Sequence, residues 1–313
     1  MAETVALDDV DRGLLHALQL DGRIPFARVA DVLGVAETTI ARRYKRLRSV
    51  AGLRVVGVVN GVLFGRTAWT LRLRCTPDVG PPLARALAKR PDVFWVHVMS
   101  GGAEISCHAQ LPPGEETVLL EKLPRAGRVL DVSAHSVLHA FTLPSDWSGL
   151  RWLDTDQVER LRPEEPRMAR VEVDGADQAL LEALAVDGRT SYAELAARTR
   201  MSESTVRRRL DLLRHSGVVS YQVDIPAALL GYGTQARLWL TVPPHALTDV
   251  GRRLGEHEET SFVAAITGPA NLVAVVACRD SAGLYRYLTE RVAALREITS
   301  LETAVLMRTV KQG

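Results

Sequence analysis

The chain has 313 residues, 47% of them hydrophobic and 24% charged, with a formal net charge of +2. That length allows two or more domains, and the composition is that of a globular protein rather than a disordered or membrane-embedded one. The near balance of charge excludes a uniformly basic nucleic-acid binder, so any basic surface must be local.

The opening Met1-Ala2-Glu3-Thr4 is acidic and leads into no long apolar run. The most apolar stretch, Leu272 to Cys278, is far shorter than the ~20 residues of a membrane helix. A cytoplasmic location without membrane association is expected. Asp8 has the chemistry of a helix cap, and Leu14, Leu15 and Leu18 share one face of the helix that follows, with Gly22 as its terminator. A second helix is predicted from Pro25 to Leu33, Gly34 makes a short turn, and a third helix runs from Glu37 to Arg48 with Ile40, Tyr44 and Leu47 inward. Leu53 to Val59 reads as a connecting strand.

From Ala68 the order is strand (Ala68 to Cys75), helix (Pro82 to Lys89), strand (Val93 to Met99), strand (Glu104 to Gln110), helix (Glu115 to Leu123) and strand (Leu130 to Leu138). This is the ferredoxin-like βαββαβ order. Its helices cover one sheet face, so two such modules are expected to pack sheet to sheet. Cys75, Cys107 and Cys278 lie in apolar runs at wide spacing and read as reduced core thiols. Residues 141 to 173, with prolines, Trp147 and Trp152 and no periodicity, read as a connector whose tryptophans dock on a neighbour.

Everything then recurs. Residues 7–47 align without a gap on residues 173–213: Asp21-Gly22-Arg23 returns as Asp187-Gly188-Arg189, and Glu37, Thr39, Arg42, Arg43 and Leu47 return as Glu203, Thr205, Arg208, Arg209 and Leu213. A period this long marks a duplicated domain pair, because solenoid repeats run roughly 20 to 50 residues. In the second copy Ser191 and Ser202 supply caps; the first has Ala36 where Ser202 stands. Val218 to Asp224 is a second connecting strand, and Gln235 to Met307 repeats the βαββαβ order.

The fold class is thus α+β, a winged helix-turn-helix plus a ferredoxin-like module, the pair duplicated. The expected domains are 1–60 and 173–225 for the helix-turn-helix modules, 66–141 and 233–313 for the α/β modules, and 142–172 for the linker.

The third helices carry the chemistry. Thr38, Thr39, Arg42, Arg43 and Arg46 surround one apolar stripe, with Lys45 and Arg48 beside them; Ser204, Thr205, Arg207, Arg208 and Arg209 surround the other, with Arg214. A helix of this width enters the major groove of double-stranded DNA, where early hydroxyls and arginines reach base edges and later cations hold phosphates. A solvated basic face is the competing reading. Its repetition on the third helix of both tri-helical units favours DNA.

The whole chain resembles two fused copies of the Lrp/AsnC (feast/famine) regulators. The likeness rests on Leu7-Asp8-Asp9-Val10-Asp11 with Leu14-Leu15, the Asp-Gly-Arg turn, the helix-turn-helix and the βαββαβ module. It implies a transcriptional regulator, not an enzyme, whose α/β modules bind an amino acid or other small metabolite and assemble into a homo-oligomer. It also implies a ligand near the glycine turn between the module's second and third strands. The matching positions are Ser100, Gly101 and Gly102 with Glu104, and Thr267 and Gly268 with Asn271. The same glycines suit an ordinary hairpin turn.

Siroheme decarboxylases share this architecture and give the alternative, a tetrapyrrole enzyme using histidines. His97, His108, His135 and His139 occur in the first α/β module, whereas Ala264, Val275, Glu302 and Leu306 occupy the equivalent positions of the second. Ordinary, partly exposed histidines are the expectation here. No metal-ligand spacing, P-loop, dinucleotide fingerprint or nucleophile elbow is visible, so no cofactor is expected.

Overall fold

The structure, a computed structural model, describes residues 6–112, 114, 128–163, 166–167 and 171–311. In chain order the elements are α1 (Asp9–Leu20), α2 (Phe26–Leu33), α3 (Glu37–Val50), β1 (Arg54–Val59), β2 (Thr67–Cys75), α4 (Gly80–Ala88), β3 (Val93–Met99), β4 (Glu104–Leu111), β5 (Val129–Thr142), α5 (Thr155–Leu161), α6 (Gly175–Val186), α7 (Tyr192–Thr199), α8 (Glu203–His215), β6 (Val219–Asp224), β7 (Thr234–Thr241), α9 (Leu247–Gly255), β8 (Thr260–Ile266), β9 (Leu272–Cys278), α10 (Ser281–Arg286) and β10 (Ser300–Lys311). The helix expected at 115–123 lies outside the described residues. Two compact units emerge, one from Met1–Phe64 with Leu150–Leu230, the other from Gly65–Gly149 with Gly231–Gln312.

In the first unit, α1 opens on a capping box in which Asp8 accepts from the Asp11 amide (2.9 Å) and Asp11 accepts from the Asp8 amide (3.2 Å). Asp174 and Asp177 repeat it on α6. Leu14, Leu15 and Leu18 are fully buried, as their spacing predicts. Gly22 acts differently from the expected terminator: α1 has already ended at Leu20, with Asp21 as its C-cap. A Cβ at Gly22 would lie 2.4 Å from the Tyr221 side chain, so the glycine is needed for close packing against β6.

The two connecting strands pair with each other. β1 and β6 run antiparallel from Arg54↔Asp224 to Val59↔Val219, joining the two helix-turn-helix modules through a two-stranded ribbon. The connector contains a helix that periodicity did not reveal. Asp154 caps α5, Leu161 is buried, and Arg160 pairs with Asp31 of α2 at 2.7 Å. Just before it, the amides of Trp152 and Leu153 both donate to His16 Nδ1, at 3.1 and 2.9 Å. Burial, aided by Arg151, pushes the His16 pKa down to about 4, which keeps that acceptor unprotonated.

In the second unit, all eight strands close into one antiparallel barrel in the order β10-β3-β4-β2-β5-β8-β9-β7. Sheet-to-sheet packing is therefore only part of the arrangement, because the modules also join at their edges. The long last strand of each module crosses to the other: β5 pairs with β8, and β10 pairs with β7 and then β3. Each long strand thus serves one module with one half and the other module with the other, which is how the barrel closes. Alternate side chains such as Leu71, Leu73 and Cys75 meet Leu83 and Leu87 of α4 outside the barrel, while Leu238 and Leu240 meet Val250 and Leu254 of α9. The intervening residues point into the lumen. Cys75, Cys107 and Cys278 are buried and free.

Candidate nucleic-acid interface and ligand sites

The paired modules of the first unit repeat each contact in reverse. Arg23 Nη1 donates to the carbonyls of Gly188 (2.7 Å) and Thr190 (3.0 Å), and Arg189 Nη1 donates to those of Gly22 (2.7 Å) and Ile24 (3.1 Å). Arg48 pairs with Asp187 at 3.0 Å, and Arg214 with Asp21 at 2.9 Å. Arg23 lies over the Tyr192 ring, and Arg189 over Phe26 at the matching position. The Asp-Gly-Arg turns and the last arginines of α3 and α8 therefore hold the modules together, which corrects the assignment of Arg48 and Arg214 to phosphate. The detectable signal was a charged pair, Asp21 with Arg48, returning at the same spacing as Asp187 with Arg214.

Other arginines on the third helices bind carboxylates inside their own module. Arg43 pairs with Asp8 (2.7 Å) and Asp11 (3.5 Å), and Arg46 also pairs with Asp11, which is fully buried. In the second copy Arg209 Nε donates to Asp177 at 2.6 Å, and its Nη2 donates to the same carboxylate and to the Glu172 carbonyl. These three expected DNA contacts thus already tie α3 to α1 and α8 to α6.

The remainder forms an outward surface. Thr38, Arg42 and Lys45 on α3 are exposed, as are Ser204, Arg207 and Arg208 on α8, with Thr39 and Thr205 half-buried beside them. Arg207 lies 4.6 Å over Tyr192, while Arg42, Lys45 and Arg208 make no ion pair among the described residues. Ser202 caps α8 by accepting from the Thr205 amide (3.2 Å), and its hydroxyl meets those of Ser204 and Thr205. Ala36 caps nothing, as expected.

In the barrel each glycine turn lies against the last strand of the other module. The turn Ser100–Gly102 has positive φ at all three residues and adjoins β10, where Leu306 pairs with Met99. Thr267 exchanges backbone and hydroxyl bonds with Ser136 of β5, and a Cβ at Gly268 would lie 2.4 Å from His135 Nδ1. Two side chains expected at these ligand sites are engaged elsewhere. Glu104 is buried in a bidentate pair with Arg72, 3.0 Å on each arm, and Asn271 bonds both the amide and the carbonyl of Val242. Ser100, Gly101, Thr267 and Gly268 remain exposed, whereas Gly102 is buried.

Three of the four histidines of the first module turn into the lumen; His97 and His108 stay partly exposed, as expected of them, and His135 is buried. His97 Nδ1 meets Thr309 Oγ1 at 3.2 Å, His108 Nε2 meets Arg237, and His135 Nδ1 meets the Thr267 carbonyl at 2.7 Å; His139 is exposed. Burial and the nearby Arg237 push His97 down to about 3 and His108 well below the usual range, so both are neutral. Among the described residues no group of three or more His, Cys, Asp or Glu side chains is arranged to hold a metal ion.

Comparison with known proteins matches this layout. The profile of the AsnC-type helix-turn-helix domain fits residues 7–48 and again 173–214, and that of the Lrp/AsnC ligand binding domain fits residues 235–313. The chain belongs to the Lrp/AsnC family. An uncharacterized HTH-type transcriptional regulator of Pyrococcus horikoshii is 32% identical over 149 residues, covering 47% of this chain and 94% of the relative. Regulatory protein AsnC of Escherichia coli is 28% identical over 150 residues, covering 44% and 96%. Both of these relatives thus span just under half of this chain, in keeping with a tandem duplication. The crystal structure of the siroheme decarboxylase NirDL shares the fold over 97% of this chain and 93% of its own, with a TM-score of 0.65 at 16% identity. In its Lrp/AsnC domain set the chain is a ligand-responsive DNA-binding regulator.

Proposed function

We propose that this chain regulates transcription as a pair of unequal DNA readers, α3 and α8, each entering a major groove, and that an amino acid bound at the glycine turns changes its affinity for DNA. The carrying observation is the exposed surface of the two helices. Thr38 and Arg42 on one correspond to Ser204 and Arg208 on the other, and all four are exposed. Around this shared set the helices differ: Ala41 stands opposite Arg207 and Lys45 opposite Asp211. Arginine reads guanine bidentately and alanine does not, so the half-sites differ and the operator is a broken palindrome. Assembly of several chains and a cytoplasmic location accompany this reading.

Selection of DNA fragments by the purified protein, with and without amino acids, tests it. The expected product carries two unequal half-sites whose centres are about one helical turn, 10 to 10.5 base pairs, apart or a multiple of that. Ala41→Arg should move the first half-site toward the preference of the second. No enriched sequence, or a perfect palindrome, counts against the reading.

The interior histidines favour one second reading, a siroheme-decarboxylase-like tetrapyrrole enzyme. Exposure to an iron-uroporphyrin, followed by its visible absorption, separates the two. A stoichiometric complex lost on His108→Ala supports the enzyme.

A further inference from the structure

Arg237 of β7 points into the barrel lumen and is 2% exposed. Its acceptors are all neutral: Nη1 donates to the Thr70 hydroxyl (2.9 Å) and to Ser106 Oγ, and Nη2 donates to His108 Nε2 (2.9 Å). Three of the five guanidinium N–H groups are thereby engaged. The Nε–H and one of the two Nη2–H groups meet no acceptor among the described residues, and Nε shares an edge of the guanidinium with Nη2. Arg72 shows what that edge does when satisfied, since its own Nε and Nη2 grip Glu104 with two 3.0 Å bonds.

The neighbouring charges leave Arg237 over. Arg72 and Arg74 are matched by Glu104 and Glu302, the latter 2.7 Å from Arg72 and 3.1 Å from Arg74. Removing a lone cation from water is costly unless an anion meets it. Burial lowers the Arg237 pKa to about 10, so the group stays charged at neutral pH.

A second observation is independent of charge. Trp239, on the same inward face and 2% exposed, has an indole N–H without an acceptor, and its ring lies 5.0 Å from the Arg72 guanidinium and 5.7 Å from that of Arg237. His97, His108, Phe262 and Val275 also point inward and are half-buried, the first two on the polar side and the last two on the apolar side. One wall is polar, with Arg237, Thr70, Ser106 and His108; the other is apolar, with Phe262, Ala264, Ile266 and Val273 around Trp239. The duplication did not copy this arrangement, since Val273 and Val275 stand where the first copy has Ser106 and His108.

We infer that the lumen binds an organic monocarboxylate with an apolar body, its carboxylate bidentate on the Nε and Nη2 edge of Arg237 and its body against Phe262 and Val275. The Trp239 indole N–H is a further donor. One net negative charge, rather than a zwitterion, neutralises the site, which separates it from the glycine turns and makes the inference independent of the regulatory reading.

The test is a titration of the full-length protein with formate, acetate, butyrate and phenylacetate, read by calorimetry and thermal shift. One site per chain is expected, with affinity rising along the series and no binding of phenethylamine there. Arg237→Gln, and Val275→Phe, which fills the lumen but keeps the guanidinium, should each weaken phenylacetate by about tenfold or more. Binding of any amino acid at the glycine turns should be unchanged in both. If Arg237→Gln does not fold, Val275→Phe decides. Absence of saturable binding of all four acids to the unmodified protein, or phenylacetate affinity unaffected by the folded variants, overturns the proposal.

Discussion

Arg23 and Arg189 cross-dock, each placing its guanidinium on the backbone carbonyls of the turn that carries the other. Burial lowers the Arg189 pKa, yet the group stays cationic and meets carbonyl oxygens rather than a carboxylate. Replacing either arginine with methionine should cost about 1–3 kcal/mol, because charged donors are lost and half-buried acceptors are stranded. Urea unfolding of the single and double variants checks this. On the proposed reading DNA binding should fall with them, since the contact fixes the two helix-turn-helix modules against each other.

Arginines on one recognition helix should separate into two kinds. Arg42→Ala or Arg208→Ala should weaken specific DNA binding by about 1–3 kcal/mol per base contact while leaving the melting temperature unchanged. Arg209→Ala strands Asp177, which is 1% exposed, and should lower stability by about 3 kcal/mol. Arg43→Ala should cost less, because Arg46 still meets Asp11. Parallel gel-shift and unfolding measurements distinguish the two kinds; equal behaviour of all four arginines would refute the division.

Two buried groups of the first unit should pull stability in opposite directions with pH. His16 is held at about 4 when folded and rises to 6.5 when unfolded, so the unfolded chain takes up the extra proton and stability falls as pH drops through that window. Asp224, raised to about 6 by burial with partial relief from Arg54, behaves oppositely: it disfavours the fold above about 6 and that penalty fades as pH drops toward 3.8. After a discount for solvent screening each contribution is on the order of 2 kcal/mol, so the intact chain should show little net slope between pH 6.5 and 4. Asp224→Asn should expose the His16 slope, and His16→Asn the reverse one. Melting temperatures across that range are the measurement.

The glycine turns should respond unequally to alanine. At Gly101 φ is +68° with open space around a new Cβ, so the cost is backbone strain of about 1–2 kcal/mol. At Gly268 φ is +111° and the Cβ would run into His135, so the Thr267 contact with Ser136 should open as well and the loss should be larger. Calorimetry with an amino-acid ligand should show Gly101→Ala removing only the site at its own turn.

Much of the architecture was legible in the sequence because it is local. The spacing of Leu14, Leu15 and Leu18, the caps at Asp8 and Ser202, and the βαββαβ order all follow from residues within a few positions of one another. The assignment of Arg43, Arg46 and Arg209 to DNA alone was incomplete for the opposite reason. An arginine has the same helix-face position whether it reaches a phosphate or a buried aspartate 32 residues away. Periodicity could not pair β5 with β8, or foresee that Glu104 would be held by Arg72, since both depend on how distant strands meet. The α5 helix, seven residues that bury only Leu161, is too short to show a repeat.

The β1–β6 ribbon closes within one polypeptide, so the two helices proposed to read DNA cannot be separated by dilution. Each reader sees the other at a fixed local concentration set by the chain itself. Occupancy of an operator by one chain should therefore rise with the first power of protein abundance, where two separate subunits would give a square-law response at low levels. Subunit exchange with half-length relatives cannot scramble the pair, so α3 and α8 stay partnered for the lifetime of the molecule.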